Sequence, residues 1–242
     1  MHFIKLDAIG STNDFLKDLV RSRQLENFTV VTAETQTSGR GQRGTTWSSE
    51  SGKNLTMSVF CRTKIHASSG LFVLNAATAI AILEAIRSFG IPDLSVKWPN
   101  DIMSGRSKIG GILIENNVKT AADFESVIGI GINVNQVGFE SLPNASSMFL
   151  KSGREFDKEQ VAVAIASELE AGLSDLETHV DEVWIVYNEN LFRKGQPTVF
   201  EDNSGARFNG IIEQATRDGL LTIRLEDDSM RIFGIKEVAM LY

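Results

Sequence analysis

A single cysteine, Cys61, stands in 242 residues. No intramolecular disulfide can form, and a reducing compartment such as the cytoplasm fits. Histidine is almost as scarce: His2, His66 and His179 are scattered and match no metal-ligand spacing. Cys61 ends an apolar run with no histidine at a telling distance, so it reads as a packing residue rather than a nucleophile. Basic charge is also short. The 24 Lys and Arg against 31 Asp and Glu leave a net charge of −7, the opposite of what non-specific grip on a phosphate backbone requires; nucleic acid is not expected as a partner. No apolar run is clean enough to cross a membrane, because residues 71–91 are interrupted by Asn75, Glu84 and Arg87. The opening Met1-His2-Phe3-Ile4-Lys5-Leu6-Asp7 lacks the basic stretch and apolar core of a secretory signal.

What is present is ordinary globular material, 42% hydrophobic and 23% charged, in a length that suits one large domain plus a small one. Ser11 can cap a helix carrying Asp14 in its first turn and Phe15, Leu16, Leu19 and Val20 on one face. Strands are expected over 28–33 and 54–60, with a polar, glycine-rich loop over 34–53 between them. Leu71, Leu74, Thr78, Ile82, Ala85 and Phe89 recur at helical spacing. A short strand over 94–98 stops at Pro99. Paired strands follow over 109–115 and 126–135, turning near Asn116-Asn117, and a helix over 158–176. After about residue 190 the runs become short and β-like, with a hairpin signal at Asp218-Gly219. This predicts a small barrel-like domain with its boundary near Leu191.

Four segments carry chemistry, each with a plainer reading beside it. Gly39-Arg40-Gly41-Gln42-Arg43-Gly44 spells a dinucleotide fingerprint, but no helix pattern opens at its third glycine, and Thr45 stands where a P-loop needs lysine. What remains is a glycine loop whose amides and two guanidiniums suit an anion, or else a solvated surface loop. Lys97-Trp98-Pro99-Asn100-Asp101 ends a strand in a rigid turn. It offers a cation to phosphate and oxygens to Mg²⁺, or is an Asx turn with Trp98 in the core. In Lys108-Ile109-Gly110-Gly111-Ile112-Leu113-Ile114-Glu115 the glycines mark close approach of a ligand or a bulge. In residues 127–135, Gly129 and Gly131 alternate on one strand face together with Asn133. This makes a flat floor for a planar ligand or for a packed helix.

The order and spacing of these segments together resemble the biotin–protein ligases. The family pattern runs S-T-N, Q-x-x-G-R-G-R-x-G with a following W, K-W-P-N-D, K-x-x-G-I-L-x-E and G-x-G-x-N. Here it is met by Ser11-Thr12-Asn13, Gln36, residues 39–44, Trp47, 97–101, 108–115 and 129–133, and Leu191-Phe192-Arg193-Lys194-Gly195-Gln196-Pro197 looks like the start of the family's C-terminal domain. The resemblance implies an α+β fold: a mixed sheet flanked by helices, of the class II aminoacyl-tRNA-synthetase and biotin-ligase type, over 1–190. A small SH3-like β-barrel would follow over 191–242. It also implies the monofunctional type, since S-T-N at residue 11 leaves no room for a preceding helix-turn-helix.

The reaction so implied joins biotin to ATP as biotinyl-AMP, then transfers biotin to a lysine of a biotin carboxyl carrier protein. Ser11, Thr12, Asn13 and Gln36 would bond the head group, and Gly39, Gly111, Gly129 and Gly131 would shape its slot, with Arg40 and Lys108 also on biotin. ATP would meet Arg40, Arg43, Trp47, Lys97, Asn100 and Asn133; Lys108, Arg40, Arg43 and Asp101 would serve catalysis, with Asp101 on Mg²⁺. One departure from the pattern is Gln42, where many members carry an arginine that helps hold the adenylate. Competing readings are a lipoate–protein ligase, whose dithiolane needs few polar partners, and a biotin sensor or repressor. An edge strand leaves a homodimer open.

Overall fold

The computed structural model describes residues 1–64, 70–118, 123–139 and 142–242, without the side chains of Arg43, Val118 and Asp123. Its elements run β1 (Phe3–Ile9), α1 (Thr12–Ser22), β2 (Val30–Gln36), β3 (Leu55–Lys64), α2 (Phe72–Arg87), β4 (Leu94–Lys97), β5 (Asp101–Ser104), β6 (Ser107–Val118), β7 (Asp123–Ile132), α3 (Met148–Ser152), α4 (Lys158–Leu173) and α5 (Val180–Glu189). The chain ends in β8 (Pro197–Asp202), β9 (Arg207–Ala215), β10 (Leu221–Leu225), β11 (Met230–Phe233) and β12 (Val238–Leu241). The first seven strands form one mixed sheet, ordered β1-β2-β3-β7-β6-β5-β4. Only β1 and β2 pair in parallel among its described neighbours.

Period-two alternation decides which residues face which layer. Leu55, Met57, Val59 and Cys61 of β3 and Ile128, Ile130 and Ile132 of β7 join the main core under α2, α4 and α5. Their neighbours Phe60 and Val127 face the opposite side, with Leu16 of α1. Burial pushes the Cys61 thiol up to about 12, which fits a packing residue. On that opposite side β7 carries Gly129 and Gly131, and β3 carries Thr56 and Ser58, so a polar, shallow surface is left beside α1.

Helix α1 starts where its cap chemistry dictates: the Ser11 side chain accepts from the Asp14 amide at 3.4 Å. Two expectations shift. The strand β6 continues through Asn116-Asn117, paired with Ser126 and Glu125, so the chain does not turn there. Helix α4 stops at Leu173 and a separate 3-10 turn spans Leu176–Thr178.

The last five strands form an antiparallel sheet, ordered β11-β10-β9-β8-β12. The hairpin between β9 and β10 turns at Gly219, with φ of +79°. Among the described residues no pairing joins β11 to β12, so the sheet is not a closed barrel. Its buried Phe200, Ile212, Leu221 and Phe233 belong to the same hydrophobic cluster as the large sheet's core. Among the described residues no helix is long and apolar enough to cross a membrane.

Candidate active site

A cavity of about 400 Å³ opens on the α1 side of the large sheet and is closed from the other end by the C-terminal sheet. At one end, polar side chains are wired to one another. The Thr12 amide and hydroxyl both donate to Gln36 Oε1, at 2.8 and 3.0 Å. Ser58 Oγ lies 2.7 Å from Thr12 Oγ1 and 2.5 Å from Asn13 Oδ1. Asn13 Nδ2 donates to Glu115 Oε2 at 2.8 Å. Ser11, Thr12, Asn13 and Ser58 are all buried, so each side chain has one conformation available and presents a fixed pattern of donors and acceptors.

The glycine floor is covered from within. A Cβ at Gly129 would come within 2.5 Å of Asn13 Oδ1, and one at Gly131 would run into the Trp47 indole. Trp47 reaches Gly131 because residues 39–47 fold back on themselves. The Trp47 amide donates to the Gly39 carbonyl at 3.0 Å, Gly41 donates to Thr45 at 2.7 Å, and a short 3-10 turn spans Gln42–Gly44. The indole Nε1 is buried with no hydrogen-bond partner, a cost of about 1–3 kcal/mol that an added acceptor would relieve.

Arg40, Lys108 and Lys97 sit in three different settings. Arg40 Nη2 lies 2.5 Å from Asp14 Oδ1 and 3.4 Å from Glu115 Oε2, while Lys17 bridges the same two carboxylates at 2.9 and 2.8 Å. Burial works to raise the Asp14 and Glu115 carboxyls, but hydrogen bonds from Lys17 and the Arg40 charge overcome it and hold both below the usual range. Burial likewise opposes the Lys17 charge, and the two carboxylates raise it nonetheless. Lys108 Nζ pairs with Asp101 Oδ1 at 2.5 Å. Lys97 donates to the Tyr242 hydroxyl at 3.3 Å.

The turn after Lys97 is clamped from three sides. The Pro99 carbonyl accepts from Asn75 Nδ2 at 2.7 Å and from the Tyr187 hydroxyl at 3.2 Å, and Trp98 Nε1 donates to the Gly219 carbonyl at 3.2 Å. The Trp98–Pro99 bond is cis. Trp98 both joins the core and lines the cavity. Asn100 Nδ2 donates to the Ile112 carbonyl at 2.6 Å, tying the turn to β6.

Of the residues singled out in the sequence, Ser11, Thr12, Asn13, Gln36, Arg40, Trp47, Lys97, Asn100, Asp101, Lys108, Gly111, Gly129 and Gly131 line this cavity. Gly39 does not; it supports the loop under Trp47, where a side chain would strike the Trp47 carbonyl. Asn133 does not either. β7 ends at Ile132, so alternation no longer governs Asn133, whose amide donates to the Ser146 carbonyl at 2.9 Å. The Arg43 side chain lies outside the described residues, as does His66. Missed were Ser58, Glu115 as a partner of Asn13, and the C-terminal contributions Phe200, Leu221 and Met240. Ser58 had a signal: with Thr56 it is a hydroxyl residue at alternate positions of an otherwise apolar strand.

Residues 6–133, more than half of the chain, match the model of the biotin/lipoate A/B protein ligase family. The chain belongs to that family. Bifunctional ligase/repressor BirA of Escherichia coli is 35% identical over 170 residues, covering 69% of this chain and 52% of that protein. Biotin--[acetyl-CoA-carboxylase] ligase of Mycobacterium tuberculosis is 31% identical over 174 residues, covering 69% and 63%. The chain thus spans about half the length of the Escherichia coli relative. The biotin protein ligase of Aquifex aeolicus, solved in complex with biotin and ATP, superposes with a TM-score of 0.79 at 21% identity over 99% of this chain and 98% of that one. At that identity the likeness is one of fold, and it covers the C-terminal sheet as well. In this chain the family match stops short of the C-terminal strands, yet those strands contribute to the cavity wall.

Proposed function

We propose that the chain is an ATP-dependent biotin–protein ligase. One observation carries the reading: a single cavity holds a rigid set of amides and hydroxyls at one end and Arg40, Lys97 and Lys108 along the rest. Biotin's ureido ring has donors and acceptors that match Thr12, Asn13 and Gln36, with the buried Ser58 hydroxyl bonded to Thr12 and Asn13; lipoate's dithiolane has none, so this end favours biotin within the family. The names of the Escherichia coli and Mycobacterium tuberculosis relatives point the same way.

The reaction would run in two steps. A biotin carboxylate oxygen attacks the α-phosphorus of ATP, the bond to the bridging oxygen breaks, and pyrophosphate leaves. An acceptor lysine amine, on a biotin carboxyl carrier protein, then attacks the acyl carbon; AMP departs and the amine gives up a proton. In the first step two anions must meet. Lys108, beside Gly111 and between the two ends, is suited to hold the carboxylate against the α-phosphate. Arg40 and Lys97 would take the phosphates, and Arg43 with them. Trp47, seated on the glycine floor, would exclude water from the adenylate. Gln42 lines the cavity where many members have arginine.

Among the described residues no group of three or more His, Cys, Asp or Glu could hold a metal, so an all-protein cage does not fit. Mg²⁺ arriving with a nucleotide needs only one or two carboxylates, and Asp101 is suited to that role once Lys108 has turned to the substrates. The ion would supply neutralising charge on the phosphates. We read 1–190 as the catalytic domain, related to class II synthetases, and 191–242 as a small domain of SH3-like descent. We place the enzyme in the cytoplasm.

The test is exchange of labelled pyrophosphate into ATP, dependent on biotin and absent with lipoate. Mass spectrometry of a carrier domain should then show one added biotinyl group. No exchange above the lipoate control in a folded preparation would overturn the reading.

A further inference from the structure

We propose that Tyr242 is the positioning residue for Lys97 in the nucleotide step; this rests on the ligase reading above. The Lys97 ammonium lies 4.6 Å from the centre of the Tyr242 ring and donates to its hydroxyl at 3.3 Å. The ring is itself held edge-on by Phe192, a buried residue, with centroids 5.1 Å apart. The two partners are 145 residues apart in sequence, and Tyr242 lies outside the span matched by the family model.

The setting of Lys97 differs from that of the other described cavity cations in the α1-side wall. Arg40 faces two carboxylates and Lys108 faces one. Among the described residues no ion pair joins Lys97 to a carboxylate; its partners are the neutral hydroxyl and ring of Tyr242. A carboxylate fixes a cation but cancels its field, and a polyphosphate must displace it. A ring attracts the cation through its quadrupole and adds no net charge. Tyr242 therefore holds Lys97 in place with its full charge turned to the cavity. The backbone before Lys97 is set from the same part of the chain. The Val96 amide donates to Asn190 and its carbonyl accepts from Phe192, both at 2.8 Å. Tyr242 is the contact from this region that touches the charge itself.

The experiment measures KM for ATP and kcat in pyrophosphate exchange for the full chain and for Tyr242→Phe, Tyr242→Leu and Tyr242→Glu. Biotin affinity and thermal stability are followed alongside. Tyr242→Phe keeps the ring but loses the hydroxyl that accepts from Lys97, and should raise KM for ATP less than Tyr242→Leu does. Tyr242→Leu should raise KM for ATP about three- to tenfold, with biotin affinity unchanged. Tyr242→Glu should raise it further, because it puts a carboxylate beside the ammonium. A folded Tyr242→Leu protein with unaltered KM for ATP, or one in which biotin affinity falls in parallel, would overturn the proposal. If the parent itself shows no biotin-dependent exchange, the ligase reading fails instead. Direct binding of a non-hydrolysable ATP analogue to the same variants then decides the role of Tyr242. Should Tyr242→Leu not fold, carbon-13 reductive methylation of the parent gives a second measurement. The Lys97 signal, assigned with Lys97→Arg, should be shifted upfield by the ring and move on adding ATP; an unshifted signal counts against the proposal.

Discussion

The Lys108 ammonium rests 2.5 Å from the Asp101 carboxylate, across the β5–β6 pairing and beside Gly111. In sequence Asp101 belongs to the turn after a short strand and Lys108 to the mouth of the next one, and the sheet register makes them a pair. The pairing keeps the proposed central cation aimed before substrates arrive. Lys108→Ala should lower single-turnover adenylate formation at saturating biotin by about 10²–10³. The partly exposed site should keep its melting temperature within about 1–2 °C. Asp101→Asn leaves the charge but not its guide, and should cost less in rate than Lys108→Ala. A folded Lys108→Ala protein within about threefold of the parent rate would remove Lys108 from the chemistry.

Gly131→Ala tests the contact between the glycine floor and Trp47. The added methyl would overlap the indole ring, so Trp47 must leave the floor. Its emission should shift to the red, since Trp98 and Trp184 stay in the core. Biotin affinity should fall at least about tenfold, or 1.4 kcal/mol. Unchanged emission together with unchanged affinity would mean that the loop does not depend on this floor.

The parts of the site legible in sequence are those that local chemistry writes. Ser11 announces the helix start through its cap, Gly129 and Gly131 alternate on one strand, and Pro99 ends another. These gave the site's location and most of its lining. What stayed hidden depends on where a strand stops or on distant partners. Asn133 lies one residue past the end of β7, so its predicted face no longer applied. Glu115 was visible as a residue but not as the acceptor for Asn13, from which it is 102 positions away. Strand β5 has little signal because Asp101–Ser104 is only four residues, whereas helix α5 has one that the sequence reading does not use: Val180, Val183, Trp184 and Tyr187 fall at helical spacing and are its buried residues. The expected barrel is an open sheet among the described pairings because strand count and hairpin signals do not say whether edges meet.

Ser58→Ala tests whether the polar end works as one unit. The hydroxyl is fully buried between Thr12 and Asn13. Removing it strands an acceptor, at about 1–3 kcal/mol, and lowers the melting temperature by several degrees. It also frees Asn13 and Thr12 from their fixed orientation, so biotin binding should weaken about tenfold beyond any effect on ATP. Ser58→Thr, with its hydroxyl retained, should recover part of the affinity if the added methyl is tolerated. Equal losses for biotin and for ATP in a folded Ser58→Ala protein would make Ser58 a structural residue only.

The four-charge cluster of Asp14, Glu115, Lys17 and Arg40 predicts a defined pH response. Both carboxyls are held below their ordinary values of 3.8 and 4.5. A depressed carboxyl contributes stability above its unfolded pKa and loses that contribution as pH falls through its folded one. Lys17 is raised above 10.5; its contribution is complete below that value and fades as pH climbs through the folded one. The cluster should therefore stabilise evenly from about pH 5 to pH 10 and weaken only outside that window. Thermal melts of the parent and of Glu115→Gln across pH check this. The gap between them should be flat from pH 6 to 9 and close as the solution is taken down through pH 4. At that acid end the parent's Asp14 and Glu115 also lose their hold on Arg40, so protease cutting within residues 39–47 should quicken in the parent and approach the variant's rate. A gap that closes already between pH 7 and 6, or one that persists undiminished below pH 3, would show that these carboxylates do not hold Arg40 through their charge.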